Sequence, residues 1–195
     1  MSRNETTSSR ATGRLELICG CMFSGKSERL LERIRQARAD GIATAVFKHA
    51  SDDRYDAADI ITHSAWAEQA KRVSSAGEIP EQAGDAGLVA IDEAQFFDAA
   101  LAMVCRSLAD EGRKVVVAGL DRNSWGEPFG PVPEIERMAD TVTHLKARCA
   151  RCGAPATYTQ RIAPLPANAR MIGGPESYEP RCRRCFQPPP SSHPR

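Results

Sequence analysis

Through its first three quarters the chain alternates short, uniformly apolar runs with segments whose apolar positions recur every three or four residues. Leu15–Cys19 reads as a short buried strand that ends at Gly20. Ser27–Arg38, rich in Leu, Glu and Arg, reads as a helix with Gly41 as its stop. Ala43–Lys48 predicts a second strand, Leu88–Ile91 a third that closes on Asp92, and Lys114–Ala118 a fourth. Leu101, Val104, Cys105 and Leu108 fall at i, i+3, i+4 and i+7, one face of a helix. Val142–Leu145 predicts a further strand. Strands that are apolar throughout and alternate with helices imply an α/β fold, a parallel sheet covered on both faces. From Arg148 both periods vanish and Cys, Arg, Pro and Gly take over, so a boundary is expected near residue 147. Residues 1–13 and the Pro-rich stretch 187–195 have little to bury and are expected to be disordered tails.

Between the first strand and the first helix stands Gly20-Cys21-Met22-Phe23-Ser24-Gly25-Lys26-Ser27, a full match to G-x-x-x-x-G-K-[ST] in the strand–loop–helix setting that motif requires. Successive backbone N–H groups of such a loop form a concave anion site, and the helix start adds its positive end. Lys26 is placed to reach the β and γ phosphates, and the Ser27 hydroxyl to ligate Mg²⁺. A Gly-bounded turn with an exposed Lys is the bland alternative; the flanking elements argue against it. Asp92, ending an apolar strand sixty-six residues after Lys26, is the acidic partner expected of a P-loop site, a second ligand for Mg²⁺. Glu93 follows at once and can accept a proton from a hydroxyl or from water. A helix N-terminus favouring acids would explain one carboxylate, but not a pair closing an apolar strand. Residues 14–147 are therefore expected to form a P-loop, RecA-like nucleotide-binding domain.

Cys149-x2-Cys152 and Cys182-x2-Cys185 make two C-x2-C pairs. Four thiolates suit tetrahedral Zn²⁺ with no open position, a structural site. Buried free thiols would need a core that this Arg- and Pro-rich segment cannot supply. The 29 residues between the pairs are long for a zinc ribbon, so a metal-tied loop held over a ligand, a lasso spanning 148–186, is expected.

Composition changes this picture little. The 195 residues carry a formal charge of +1, with 42% hydrophobic and 26% charged residues, which excludes partners drawn by bulk charge. No apolar run approaches the length of a membrane span, and the first residues lack the apolar core of a secretory signal. Seven cysteines in such a chain point to a reducing, cytoplasmic setting. Arg148 to Cys185 holds seven Arg and two Glu, a balance of +5. A four-thiolate zinc site lowers this to about +3, and Arg181, Arg183 and Arg184 sit among the ligands. Few aromatics accompany them, so a single-strand stacking platform is poorly supported.

With these elements in place, the chain resembles the type II (cytosolic, zinc-containing) thymidine kinases from about Arg14 to Phe186. The resemblance rests on the phosphate loop with Met22-Phe23-Ser24 inside it and on Ile91-Asp92-Glu93-Ala94-Gln95-Phe96-Phe97. Further support comes from Glu127-Pro128-Phe129-Gly130, Tyr158-Thr159-Gln160-Arg161, Ile172-Gly173-Gly174 with Tyr178, and Cys182-Arg183-Arg184-Cys185. It implies transfer of the γ-phosphoryl group of ATP to the 5′-hydroxyl of thymidine, giving dTMP and ADP. By motif, residues 20–27 with Asp92, Glu93, Ala94 and Gln95 would contact ATP, Ser27 and Asp92 would hold Mg²⁺, and Glu93 would be the catalytic base. Met22, Leu120, Ser124, Ile172, Gly173 and Tyr178 would contact the nucleoside, with main-chain groups near Ile172 and Gly173 reading the thymine edge. Asp52 and Arg54 match a family segment near the site. The resemblance also implies a homotetramer and feedback inhibition by dTTP. Ser124 stands where the family usually has a Phe over the base; either Trp125 shifts into that role or the pocket is looser. Cys21 replaces a common Pro, and its thiol beside Lys26 is expected to have a lowered pKa and to be oxidation-sensitive.

Two other readings compete. Asp92-Glu93-Ala94-Gln95 resembles the acidic box of helicases, so a nucleic-acid-dependent P-loop ATPase with a zinc ribbon is the main alternative. One core already uses most of this chain, whereas a helicase needs two, and no nucleic acid partner is expected. A nucleotide-gated regulatory module would not need a base at Glu93.

Overall fold

A computed structural model describes residues 13–51, 70–164 and 173–189. Asp52, Arg54, His63, Ile172, His193 and most of both tails lie outside the described residues.

Six parallel strands form the central sheet: β1 (Arg14–Gly20), β2 (Thr44–His49), β3 (Lys71–Val73), β4 (Leu88–Asp92), β5 (Lys114–Gly119) and β6 (Thr141–Leu145), in the order β3-β2-β4-β5-β1-β6. Strand β5 therefore separates the loop-bearing β1 from the acid-bearing β4. Apolar residues on both faces make this possible. Leu15, Leu17, Cys19, Val89, Ile91, Val115 and Val117 pack on one side, where helices α3 (Leu101–Asp110) and α4 (Val132–Met138) cover them. Ile18, Leu88, Ala90, Val116 and Ala118 face the other side, under helix α1 (Lys26–Ala39). Each fully buried Leu or Ile side chain contributes about 1.5–3 kcal/mol.

Helix α1 buries Leu30, Ile34 and Ala37, spaced i, i+4, i+7. It stops as its sequence dictates: Gly41 adopts φ 73°, its N–H bonds Arg38 O, and Ile42 N–H bonds Ala37 O at 2.8 Å, the two bonds of a Schellman cap. The short helix α2 (Ile79–Ala83) follows a capping box in which Ser75 and Glu78 satisfy each other's backbone donors. The apolar runs predicted from sequence all lie in strands, to within one residue at most ends. Strand β3 and helices α2 and α4 carry too few periodic positions to be read in advance.

Beyond residue 146 the backbone pairs into two small antiparallel ribbons. One joins β7 (Ala147–Arg148) to β8 (Pro155–Ala156), the other β9 (Tyr158–Arg161) to β10 (Tyr178–Arg181). This segment lies directly against the phosphate loop: Cys21, Cys149, Ala156 and Cys182 share one buried cluster, and Met22, Leu120 and Tyr178 share another. Its end is pinned as well, since Gln160 and Gln187 exchange two hydrogen bonds of 2.8 Å.

Candidate active site

The carboxyl ends of β1, β4 and β5 converge on one locus. Gly25 precedes α1 in the left-handed region at φ 86°, where a side chain would strain the backbone. Space beside it is open, since a Cβ added there would find its nearest neighbour in Glu28 Oε2 at 3.8 Å. Lys26 Nζ donates to Cys21 O at 2.8 Å and so lies back across its own loop. Burial pushes the Lys26 ammonium down in pKa, opposed by the nearby Glu93, Cys21, Asp92 and Asp121.

Asp92 is 6% exposed, and its carboxyl is pushed up to about 7 by burial and then by the neighbouring Glu93. Bonds from Glu93 N–H at 2.9 Å and from the Ser27 hydroxyl at 3.1 Å oppose this. Ser27 and Asp92 thus bring two oxygen donors together, the kind a hard divalent cation takes. Glu93 itself adopts φ 53°, and Phe23 in the phosphate loop adopts φ 61°; they are the positive-φ non-glycine residues among those described. Strained side-chain-bearing residues persist where the surrounding structure holds them, and both stand in this site.

One wall of the locus is the cluster Met22, Leu120 and Tyr178, with Phe129 packed against it. Ser124 is fully buried in the turn after β5, whose shape Asn123 sets by accepting Trp125 N–H at 2.9 Å and Glu127 N–H at 3.0 Å. Trp125 is half-buried one position on. Gly173 packs against Ser177 and Tyr178, where a Cβ would come within 3.0 Å of Ser177. Ala94 and Gln95 are buried in the turn after β4.

The cysteine tetrad is assembled. One ligand atom from each of Cys149, Cys152, Cys182 and Cys185 lies within 4.8 Å of the others, and Cys152 Sγ is 3.6 Å from Cys182 Sγ. Zn–S bonds of about 2.3 Å in a tetrahedron place sulfurs about 3.8 Å apart, so the donor set fits Zn²⁺.

Cys21 departs from expectation. Its side chain turns away from the phosphate cradle into the cluster with Cys149, Ala156 and Cys182, where the thiol donates to Ala156 O at 3.4 Å. Burial raises its pKa instead of lowering it, and 2% exposure closes it to oxidants.

Sequence reasoning passed over two further features. Lys48, next to the last residue of β2, is buried at 3% exposure and stands in register with Asp92; a lysine near the end of an apolar strand has no pattern of its own. Tyr158 stacks on Phe186 at 4.5 Å and takes a 2.6 Å bond from Arg183 to its hydroxyl, with the Arg122 guanidinium 5.2 Å from its ring. Tyr158 was visible as a motif residue, but its partners come from distant segments.

A family model described as "Thymidine kinase" matches residues 13–186. A curated thymidine kinase from Rhodothermus sp. (strain ITI 518) is 46% identical over 179 residues, covering 92% of this chain and 84% of that protein. Among solved structures, a DNA replication initiation factor aligns with TM-score 0.43 and 13% identity over 68% of this chain and 40% of that one. The family match spans the phosphate loop, the Asp92-Glu93 pair and all four clustered cysteines, and together with the 46% identity it places this chain in the thymidine kinase family.

Proposed function

We propose that the chain transfers the γ-phosphoryl group of ATP to the 5′-hydroxyl of thymidine, releasing dTMP and ADP. The observation that carries this reading is the position of Glu93. It stands at the end of β4, close enough to Lys26 and Asp92 to shift both, in a locus walled by Met22, Leu120 and Tyr178.

The loop 20–27 holds the triphosphate through backbone N–H groups and Lys26. Glu93 takes the proton of the 5′-hydroxyl as that oxygen bonds the γ-phosphorus and the bond to the β-phosphate oxygen breaks. Ser27 and Asp92 would hold Mg²⁺, which when bound would neutralise phosphate charge. Gly173, and Ile172 beyond the described residues, present main-chain groups to the thymine edge, with Ser124 buried beside the pocket. Residues 148–186 form a zinc-tied lasso over the nucleoside, apart from the nucleotide domain 14–147. Membership of the family supports further expectations: a homotetramer, inhibition by dTTP, and a cytoplasmic location. Among the described residues no helix is long and apolar enough to cross a membrane.

The test is ADP release, measured first with thymidine and then with single-stranded DNA. Thymidine-dependent release supports the kinase; DNA-dependent release would favour the nucleic-acid-dependent ATPase instead.

A further inference from the structure

Gln95 follows the acidic pair by two residues and is buried at 3% exposure. Motif resemblance groups it with the residues that touch ATP, yet its side-chain amide is committed inside the protein. Its Oε1 accepts the backbone N–H of Leu120 at 2.9 Å. An amide NH2 cannot accept from that donor, so the N–H of Leu120 fixes which end of the amide is oxygen. The Nε2 end must then face the other way, and there it donates to Glu93 Oε2.

The packing holds Gln95 in this pose. A Cβ added at Gly130, where φ is 55°, would fall 2.3 Å from Gln95 O, and one added at Gly119 would fall 3.2 Å from Gln95 Oε1. Gly130 cannot take a larger residue without moving the Gln95 backbone, and at Gly119 a side chain would crowd Ala94 and Val132 as well as the Gln95 amide. One side chain therefore spans from the Glu93 carboxylate to the residue after β5 that belongs to the Met22–Leu120–Tyr178 wall.

We propose that Gln95 is a positioning residue: it clamps the Glu93 carboxylate to the backbone of Leu120, so that the base is aimed only while the nucleoside wall is in place. This rests on the reading of Glu93 as proton acceptor. Glu93 needs such a clamp because its backbone sits in the left-handed region and its side chain is only half-buried. A misplacement of about 1 Å at a reacting group costs on the order of 100-fold in rate.

Gln95→Met removes the donor and nearly preserves volume; Gln95→Asn keeps an amide too short to span both partners. Both are expected to lower kcat with thymidine about 10- to 100-fold while the KM for ATP stays within about twofold. The same substitutions are then placed in Glu93→Gln. If Gln95 acts through Glu93, they change the residual rate of that variant little. An equal loss in both backgrounds would overturn the inference, because Gln95 would then shape the pocket independently of the base. So would a rise in the KM for ATP matching the loss of kcat, the sign of direct nucleotide contact. Should the Gln95→Met variant prove unfolded by circular dichroism, Gln95→Asn alone decides between these outcomes. Full turnover by Glu93→Gln itself would instead refute the underlying assignment of the base, which is a separate result.

Discussion

The hydroxyl oxygen of Thr159 accepts the backbone N–H of Met22 at 3.0 Å, joining the ribbon of the cysteine segment to the phosphate loop. Both residues are buried, and Met22 belongs to the wall of the site. Thr159→Val keeps the shape and deletes the acceptor, leaving a buried N–H without its partner. The expected cost is about 1–3 kcal/mol, or about 2–4 °C of Tm per kcal/mol at this chain length. Thr159→Ser, which keeps the oxygen, should recover most of it. Thermal unfolding of the two variants checks this; a Thr159→Val protein as stable as the natural chain, with the loss confined to Thr159→Ser, would show that the methyl group matters and the bond does not.

Glu93→Gln should bind ATP as the natural chain does and lose about 100- to 10,000-fold in kcat, the usual contribution of a positioned base. Steady-state kinetics with thymidine, paired with a direct ATP-binding titration, separates the two effects. A rate within a few-fold of the original would mean that another group takes the proton.

Strands β1, β2, β4 and β5 were legible because each is largely buried on both faces and so reads as a mostly apolar run, whereas the edge strand β6 has no fully buried residue and is marked only by Val142 and Leu145. Strand β3 was not legible, since only Val73 of its three residues is buried. Helix α4 was hidden by Pro131 and Pro133, which read as loop residues although proline is tolerated in a first helical turn. The ribbon β9–β10 pairs Tyr158 with Arg181 across a long excursion of chain and includes Pro180, so no local period announces it. In the site, Lys26, Ser27, Asp92 and Glu93 declared themselves by residue type and spacing. The direction of the Cys21 thiol did not, because the residues that receive it, Ala156 and Cys182, are more than 130 positions away.

The cysteine tetrad, whose donor set fits Zn²⁺, invites a test of metal removal. Cys152 is exposed, so a chelator can reach the site from solvent. Cys182→Ser should lower bound zinc from about one per chain to near zero, and lost ordering of the segment could approach 10 kcal/mol. Because the segment packs on Cys21 and walls the site through Tyr178, thymidine binding should weaken more than ATP binding. Metal analysis and limited proteolysis report the loss independently of activity. Equal weakening of both ligands would argue that the segment supports the phosphate loop as much as it covers the nucleoside.

Far from the site, Asp140 ties β6 to the start of β1. Its Oδ2 accepts Leu15 N–H at 2.7 Å, its own N–H bonds Leu15 O at 2.9 Å, and Arg106 lies 3.2 Å from the same carboxylate oxygen. These contacts, the Leu15 N–H first, hold the Asp140 carboxyl below its ordinary pKa. A folded-state pKa below the unfolded value means that the folded chain binds fewer protons. The stabilisation is therefore fully present above about pH 4 and is lost as pH falls through the folded value. With the side chain 42% exposed, solvent screening limits the effect to on the order of 1 kcal/mol. Asp140→Ala should accordingly lower Tm by about 2–4 °C at neutral pH, and the gap to the natural chain should close on acidification. A gap that stays constant from neutral pH down to about pH 3, below the ordinary aspartate range, would show that the carboxylate's charge contributes nothing and that packing alone sets the difference.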